Sequence, residues 1–140
     1  MRIVLDTSVL VAALRSRTGA GNAILRMVAE RRVVLLATPP LFLEYEEVLM
    51  RAEHRLVHQF SPEELDRFLQ ELAALIQPVD LHFRWRPQVH DSNDEMVLEA
   101  ATNGEADALV THNTGDFSAA SERFGVPVLT PAQFLKRMKT

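Results

Sequence analysis

The 140-residue sequence has no cysteine, which excludes a disulfide framework, a thiolate nucleophile and any sulfur-ligated zinc or iron–sulfur centre. Lysine is nearly absent. Of fifteen Lys and Arg only Lys136 and Lys139 are lysines, both at the end, so no catalytic lysine stands in the body of the chain. Glycine is sparse, and Gly19-Ala20-Gly21 lacks both the spacing and the lysine of a phosphate-binding loop. Long apolar runs are missing too: Val33 to Leu43, broken by Pro39-Pro40, falls far short of the roughly 20 residues a membrane helix needs. Met1-Arg2 followed by apolar residues faintly imitates a signal peptide, but Asp6 interrupts it and no small-residue cleavage site follows; the chain is expected to be complete and cytoplasmic. Positive charge is in deficit, with a formal net charge of −4, so any nucleic-acid partner needs a local basic patch or bridging metal ions.

What is present is ordinary globular composition, 47% apolar and 24% charged, in a length suited to one domain over residues 1–140. Short apolar runs alternate with helical patterns, as in βαβ units around a parallel sheet. Strands are expected at Arg2 to Asp6, Val33 to Ala37, Val79 to Phe83 and Ala108 to Thr111, with a short edge strand at Pro127 to Leu129. Three capping boxes mark helix starts: Ser61-x-x-Glu64, Ser92-x-x-Glu95 and Thr130-x-x-Gln133. Gly104 is placed to close the helix that Ser92 opens, and Arg84 to His90 reads as a loop leading into it.

Several acids stand where a core or a strand end is expected. Asp6 ends the first strand, and in open α/β sheets ligands bind beyond the carboxyl ends of strands; a helix cap for Thr7 onward explains it equally well. Asp94 shares a helix face with Val97, Leu98 and Ala101, where an ionised carboxylate needs a partner, whereas Glu95 falls on the outer face and suits the helix dipole. Asp91 reads as a loop acid or a supporting one. Glu44 stands on the shoulder of an apolar stripe formed by Leu41, Tyr45, Val48 and Ala52, while Glu46 and Glu47 point to solvent. Asp116 closes the turn Thr111 to Phe117, a composition that turns favour for structural reasons alone. Asp6, Glu44, Asp94 and Asp116 each follow a strand, and a right-handed parallel sheet brings such positions to one edge. Carboxylates gathered there raise one another's pKa or recruit a cation, and an oxygen-only ligand set selects Mg²⁺ or Mn²⁺. Such a site suits metal-assisted phosphodiester hydrolysis.

At these residues the chain resembles the PIN-domain family, the ribonuclease fold of VapC-type toxins in bacterial toxin–antitoxin pairs. The matching pieces are Val4 to Leu10, Phe42 to Leu49, Asp91 to Leu98, Leu109 to Phe117 and Leu129 to Leu135, in order. The resemblance implies a three-layer α/β/α domain with a central parallel sheet of four to five strands. It places Asp6, Glu44, Asp94 and Asp116 at the family's metal-binding quartet, with Asp91 as an extra acid and Ser8, Thr111 and Asn113 in support. It further implies Mg²⁺ or Mn²⁺ as cofactor, and in-line attack of water on RNA that leaves 5′-phosphate and 3′-hydroxyl ends. A small antitoxin partner and a homodimer or higher homo-oligomer are implied as well. Two positions depart from the pattern: Ser8 stands where Asn is usual, and Asn113 where many relatives carry Asp.

Other signals are weaker. His54 and His58 share helical spacing, but the metalloprotease order is absent and a solvated helix end is the expectation. His112 reads as an exposed turn residue. Phe83-Arg84-Trp85-Arg86 interleaves rings and cations as single-strand binders do, or ends a strand. Arg15 and Arg17 either steer an RNA backbone or solvate a loop. Leu65, Phe68, Leu69, Leu72, Leu75 and Ile76 form a helical stripe for the core or a dimer face. A receiver-type domain needs a lysine near the last strand, and a haloacid-dehalogenase-type phosphatase needs Asp at position 8; both are disfavoured. The remaining rival to a nuclease is a PIN-fold binding module, catalytically weakened at Ser8 and Asn113, that acts through an antitoxin-like partner.

Overall fold

A computed structural model of the chain describes residues 1–51, 58–81 and 92–139, without the side chains of Ser92 and Asn93. Five strands, β1 (Arg2–Leu5), β2 (Val34–Ala37), β3 (Ile76–Pro78), β4 (Ala108–Val110) and β5 (Val128–Leu129), form one parallel sheet in the order β3-β2-β1-β4-β5. Around it lie α1 (Thr7–Arg15), α2 (Ala20–Ala29), α3 (Pro39–Met50), α4 (Pro62–Leu75), α5 (Ser92–Asn103), α6 (Thr114–Phe124) and α7 (Pro131–Met138). The chain steps outward from β1 through β2 to β3, then crosses back to β4 and β5. Right-handed crossovers therefore place the early helices on one face and α6 on the other. In agreement, α1 packs on α2 and α3, α2 on α7, and α5 on α6, while α5 also lies against β1, β2 and β4.

The strands are short and nearly all apolar because both faces are covered. Ile3, Val4, Leu5, Leu35, Leu36, Leu109 and Val110 are fully buried. Thr38 caps α3 by accepting the Leu41 N–H, with Pro39 and Pro40 in positions where a missing N–H costs nothing. Two of the expected capping boxes form in full, Ser61 with Glu64 and Thr130 with Gln133. Hydrogen bonds from the Ser61 backbone and hydroxyl hold the Glu64 carboxyl below its ordinary range. The third box rests on the Ser92 side chain and lies outside the described residues, as do Arg84 to His90 and Phe83 to Arg86.

Four expectations need correcting. The third strand runs Ile76–Pro78, ahead of the expected Val79 to Phe83, and takes Ile76 out of the helical stripe. Pro78 cannot extend a helix and pushes Gln77 into extended backbone, so α4 passes directly into the strand; Val79 continues the pairing with one bond, its N–H to Ala37 O at 3.0 Å. Gly104 follows α5 as expected, but it is not the left-handed residue: Glu105 is, at φ 51°. The Ala106 N–H reaches Ala101 O and the Glu105 N–H reaches Thr102 O, which closes the helix with Glu105 in the usual glycine position. Gly104 is required for space instead, since a Cβ there would sit 2.9 Å from both Ala100 O and Val79 Cγ2. Glu95 is half-buried, like Asp94, rather than on an outer face. His58 is buried, not solvated. Its Nδ1 accepts the Phe60 N–H at 3.0 Å and its Nε2 lies 3.3 Å from Leu49 O, an arrangement that occupies both ring nitrogens and ties the chain back to α3. His54 lies outside the described residues.

Candidate active site

The strand order reverses direction between β1 and β4, and at such a switch point the loops beyond the carboxyl ends part to leave a crevice. Asp6 follows β1 and Thr111 follows β4, and the pairing of Leu5 with Val110 makes them neighbours. The Thr111 hydroxyl donates to Asp6 Oδ2 at 2.7 Å, and the Ser8 hydroxyl donates to the same oxygen at 3.0 Å. Both bonds fall on Oδ2, so Oδ1 takes neither. The capping role considered for Asp6 is not realised: its backbone starts α1, but its carboxylate makes no cap bond. Thr111 in turn accepts the Asn113 N–H at 3.0 Å, so the β4 turn is built around the same hydroxyl.

Beyond Asp6 opens a cavity of about 480 Å³, lined among others by Asp6, Ser8, Arg15, Asp94, His112 and Asn113. Asp94, in the first turn of α5, is half-buried over Val97, Leu98 and Ala101, all buried as the helical spacing requires. Arg51 also lines the cavity, 3.5 Å from Glu47 in an exposed ion pair. Nothing in the sequence singled Arg51 out, because it lies past the end of α3 and outside every motif.

The other expected residues are placed differently. Glu44 is 6% exposed on α3, inside the protein rather than on the cavity wall. Asp116 is exposed in the first turn of α6, its N–H donating to Asn113 O, and it too is off the wall. Arg17 is exposed beyond α1 and does not line the cavity, whereas Arg15 does. Asp91 lies outside the described residues. Among the described residues no three His, Asp or Glu side chains converge as a metal-holding group.

A link that the sequence did not reveal comes from Tyr45. Its ring is fully buried and its hydroxyl donates to Leu5 O at 2.5 Å, bridging α3 to the residue before Asp6. Burial, with the nearby Asp6 charge adding to it, pushes the Tyr45 hydroxyl far above its ordinary value, so it stays a neutral donor. The signal was present as the chain's one tyrosine next to Glu44, but helical periodicity read only its ring.

The family model for the PIN domain matches residues 2–115, and the chain belongs to the PIN-domain family, whose members are generally nucleases that use divalent metal ions. Among solved structures it is similar to VapBC2 from Rickettsia felis bound to a DNA fragment from their promoter. The identity is 16%, over 93% of this chain and 98% of that chain, with a TM-score of 0.58, a likeness of fold. No curated protein matches it. Among the described residues no helix is long and apolar enough to cross a membrane.

Proposed function

We propose that the chain, acting as a single PIN domain, is a metal-dependent endoribonuclease and the toxin of a toxin–antitoxin pair. The observation that carries this reading is the Asp6 carboxylate, fixed through Oδ2 by two hydroxyls, in a cavity that Asp94 also lines. The oxygen donors on the wall, the Asp6 and Asp94 carboxylates, the Ser8 hydroxyl and the Asn113 amide, fit Mg²⁺ or Mn²⁺. The absence of a third convergent acid among the described residues is compatible with Mg²⁺, which is commonly held by one or two carboxylates together with water and substrate phosphate. Asp6 and Asp94 are the proposed direct ligands, with Glu44 and Asp116 acting directly or through water. When bound, the ion supplies a water of lowered pKa and positive charge for the phosphodiester.

The rest of the work falls to the chain. Ser8 and Thr111 hold Asp6 in one rotamer, and Asn113 braces Thr111. Arg15 is placed to attract a phosphate, as is Arg17 farther out, and Asp91 is the further acid of the motif. RNA as substrate, an antitoxin partner and a homo-oligomer rest on the family likeness, and a cytoplasmic setting on the N-terminal sequence. One observation favours a second reading, a PIN-fold binding module acting through an antitoxin-like partner: among the described residues two acids, Asp6 and Asp94, line the cavity wall.

The test is cleavage of end-labelled single-stranded RNA with Mg²⁺, Mn²⁺ or EDTA, with Asp94→Asn in parallel. Cutting that requires metal and falls at least about 100-fold in the variant is expected. Cutting that survives the substitution would remove Asp94 from the site. No cutting, together with no Mg²⁺ binding by calorimetry, would favour the binding module.

A further inference from the structure

Charge is unevenly distributed along this acidic chain. Residues 20–32 and 131–139, which form α2 with its closing turn and α7, hold six of the fifteen Lys and Arg but one of the nineteen Asp and Glu. The remainder holds nine cations against eighteen acids. The two segments are far apart in sequence and packed together in space. Arg26, Arg31, Arg32, Lys136, Arg137 and Lys139 are all exposed. The lone acid, Glu30, lies 3.7 Å from Arg32 in a solvent-exposed pair, and six cations against this one acid leave the two segments with a formal charge of +5.

Between the helices runs a groove of about 350 Å³ with an apolar floor of Met27, Leu135 and Met138 and a rim of three cations, Arg26, Arg32 and Lys139, against one acid, Glu30. It shares no residue with the candidate active site and lies toward the other end of the sheet, since Arg32 leads into the start of β2. A phosphate backbone gains from the rim but not from the floor, and among the described residues no aromatic ring lines the groove for a base to stack on. A polypeptide with acids on one face and aliphatic side chains on the other matches both, and methionines adapt well to such partners.

We propose that the groove between α2 and α7 is a docking site for an acidic amphipathic segment of another polypeptide. The cations set orientation and association rate, and the Met27, Leu135 and Met138 floor holds the bound segment.

The test uses the full chain and fluorescence polarisation of a labelled synthetic helix of about 14 residues, roughly four turns, with leucines along one face and glutamates elsewhere. Its competitors are a peptide of the same composition with the spacing scrambled, and a single-stranded RNA oligonucleotide. The patterned peptide is expected to bind at least about tenfold more tightly than the scrambled one. Met138→Asp and the double reversal Arg26→Glu, Lys139→Glu should each weaken it about tenfold while circular dichroism stays unchanged. Equal binding of the two peptides would reduce the site to nonspecific charge. RNA that displaces the peptide and is weakened by the same substitutions would assign the surface to nucleic acid. No binding of the patterned peptide would overturn the proposal outright. Asp94→Asn should leave the peptide affinity unchanged, so a failure here and a failure of the nuclease reading are separable.

Discussion

The Thr111 hydroxyl lies 2.7 Å from Asp6 Oδ2 and joins residues 105 apart in sequence across the switch point of the sheet. Thr111 is fully buried and Asp6 nearly so, which makes this a charge-assisted bond shielded from water rather than a surface contact. Thr111→Val preserves the shape and removes the donor. It should lower stability by about 2 kcal/mol in urea unfolding without divalent cations, the usual scale for a hydrogen bond to a charged group. Thr111→Ser should recover most of that loss. A valine variant as stable as the parent would mean that the hydroxyl does not hold the carboxylate.

Tyr45 gives the fold a pH limit. In the folded protein its hydroxyl is pushed far above the ordinary value of 10.0, chiefly by burial, whereas in the unfolded chain it ionises near that value. The stability it contributes is therefore present below about pH 10 and is lost as pH rises, by up to about 1.4 kcal/mol per unit for this one proton. Because the chain has a single tyrosine, phenolate absorbance reports this group alone. The native protein should show no phenolate until it unfolds, and Tyr45→Phe should flatten the alkaline side of its stability profile. Phenolate that appears in the folded protein near pH 10 would contradict the burial argument.

Much of this was legible in the sequence because the relevant signals are local. Strand composition, the Ser61 and Thr130 boxes and the face shared by Asp94, Val97, Leu98 and Ala101 depend on residues within a few positions of one another. The misreadings of His58 and Tyr45 turn on hydrogen-bond partners that residue spacing does not reveal. His58 reads as a solvated helix end until Leu49 O and the Phe60 N–H are placed around it. Tyr45 reads as core until Leu5 O appears at its hydroxyl. The wall position of Arg51 and the off-wall positions of Glu44 and Asp116 depend on how α3 and α6 sit against the sheet, which no spacing rule encodes.

The helix-closing turn after α5 separates two residues that sequence inspection merges. Gly104 has no room for a Cβ, so Gly104→Ala should cost about 1–3 kcal/mol in thermal or urea unfolding. Glu105 occupies the left-handed region, and Glu105→Gly should raise stability by roughly 0.5–1 kcal/mol. If instead Gly104→Ala is neutral, the approach of α5 to Val79 and Leu36 is looser than the geometry implies.

The four motif acids should not be equivalent. Asp6 and Asp94 line the cavity, Glu44 is buried and off its wall, and Asp116 is exposed and off its wall. Asp116 also lies one residue past the stretch matched by the family model. On the nuclease reading, Asp6→Asn and Asp94→Asn should each lower RNA cleavage by at least about 100-fold, since each removes a carboxylate that would hold the metal ion at the reacting phosphate. Glu44→Gln should follow them while also changing stability, because it alters a buried group in the body of α3. Asp116→Asn should lose no more than about tenfold, a loss of the size expected for a group acting through water or at the rim. Parallel single-turnover assays in Mg²⁺ and Mn²⁺ decide the point. An Asp116→Asn loss as large as that of Asp94→Asn would mean that α6 turns its first helical turn into the site when substrate binds, making Asp116 a direct participant despite its position here.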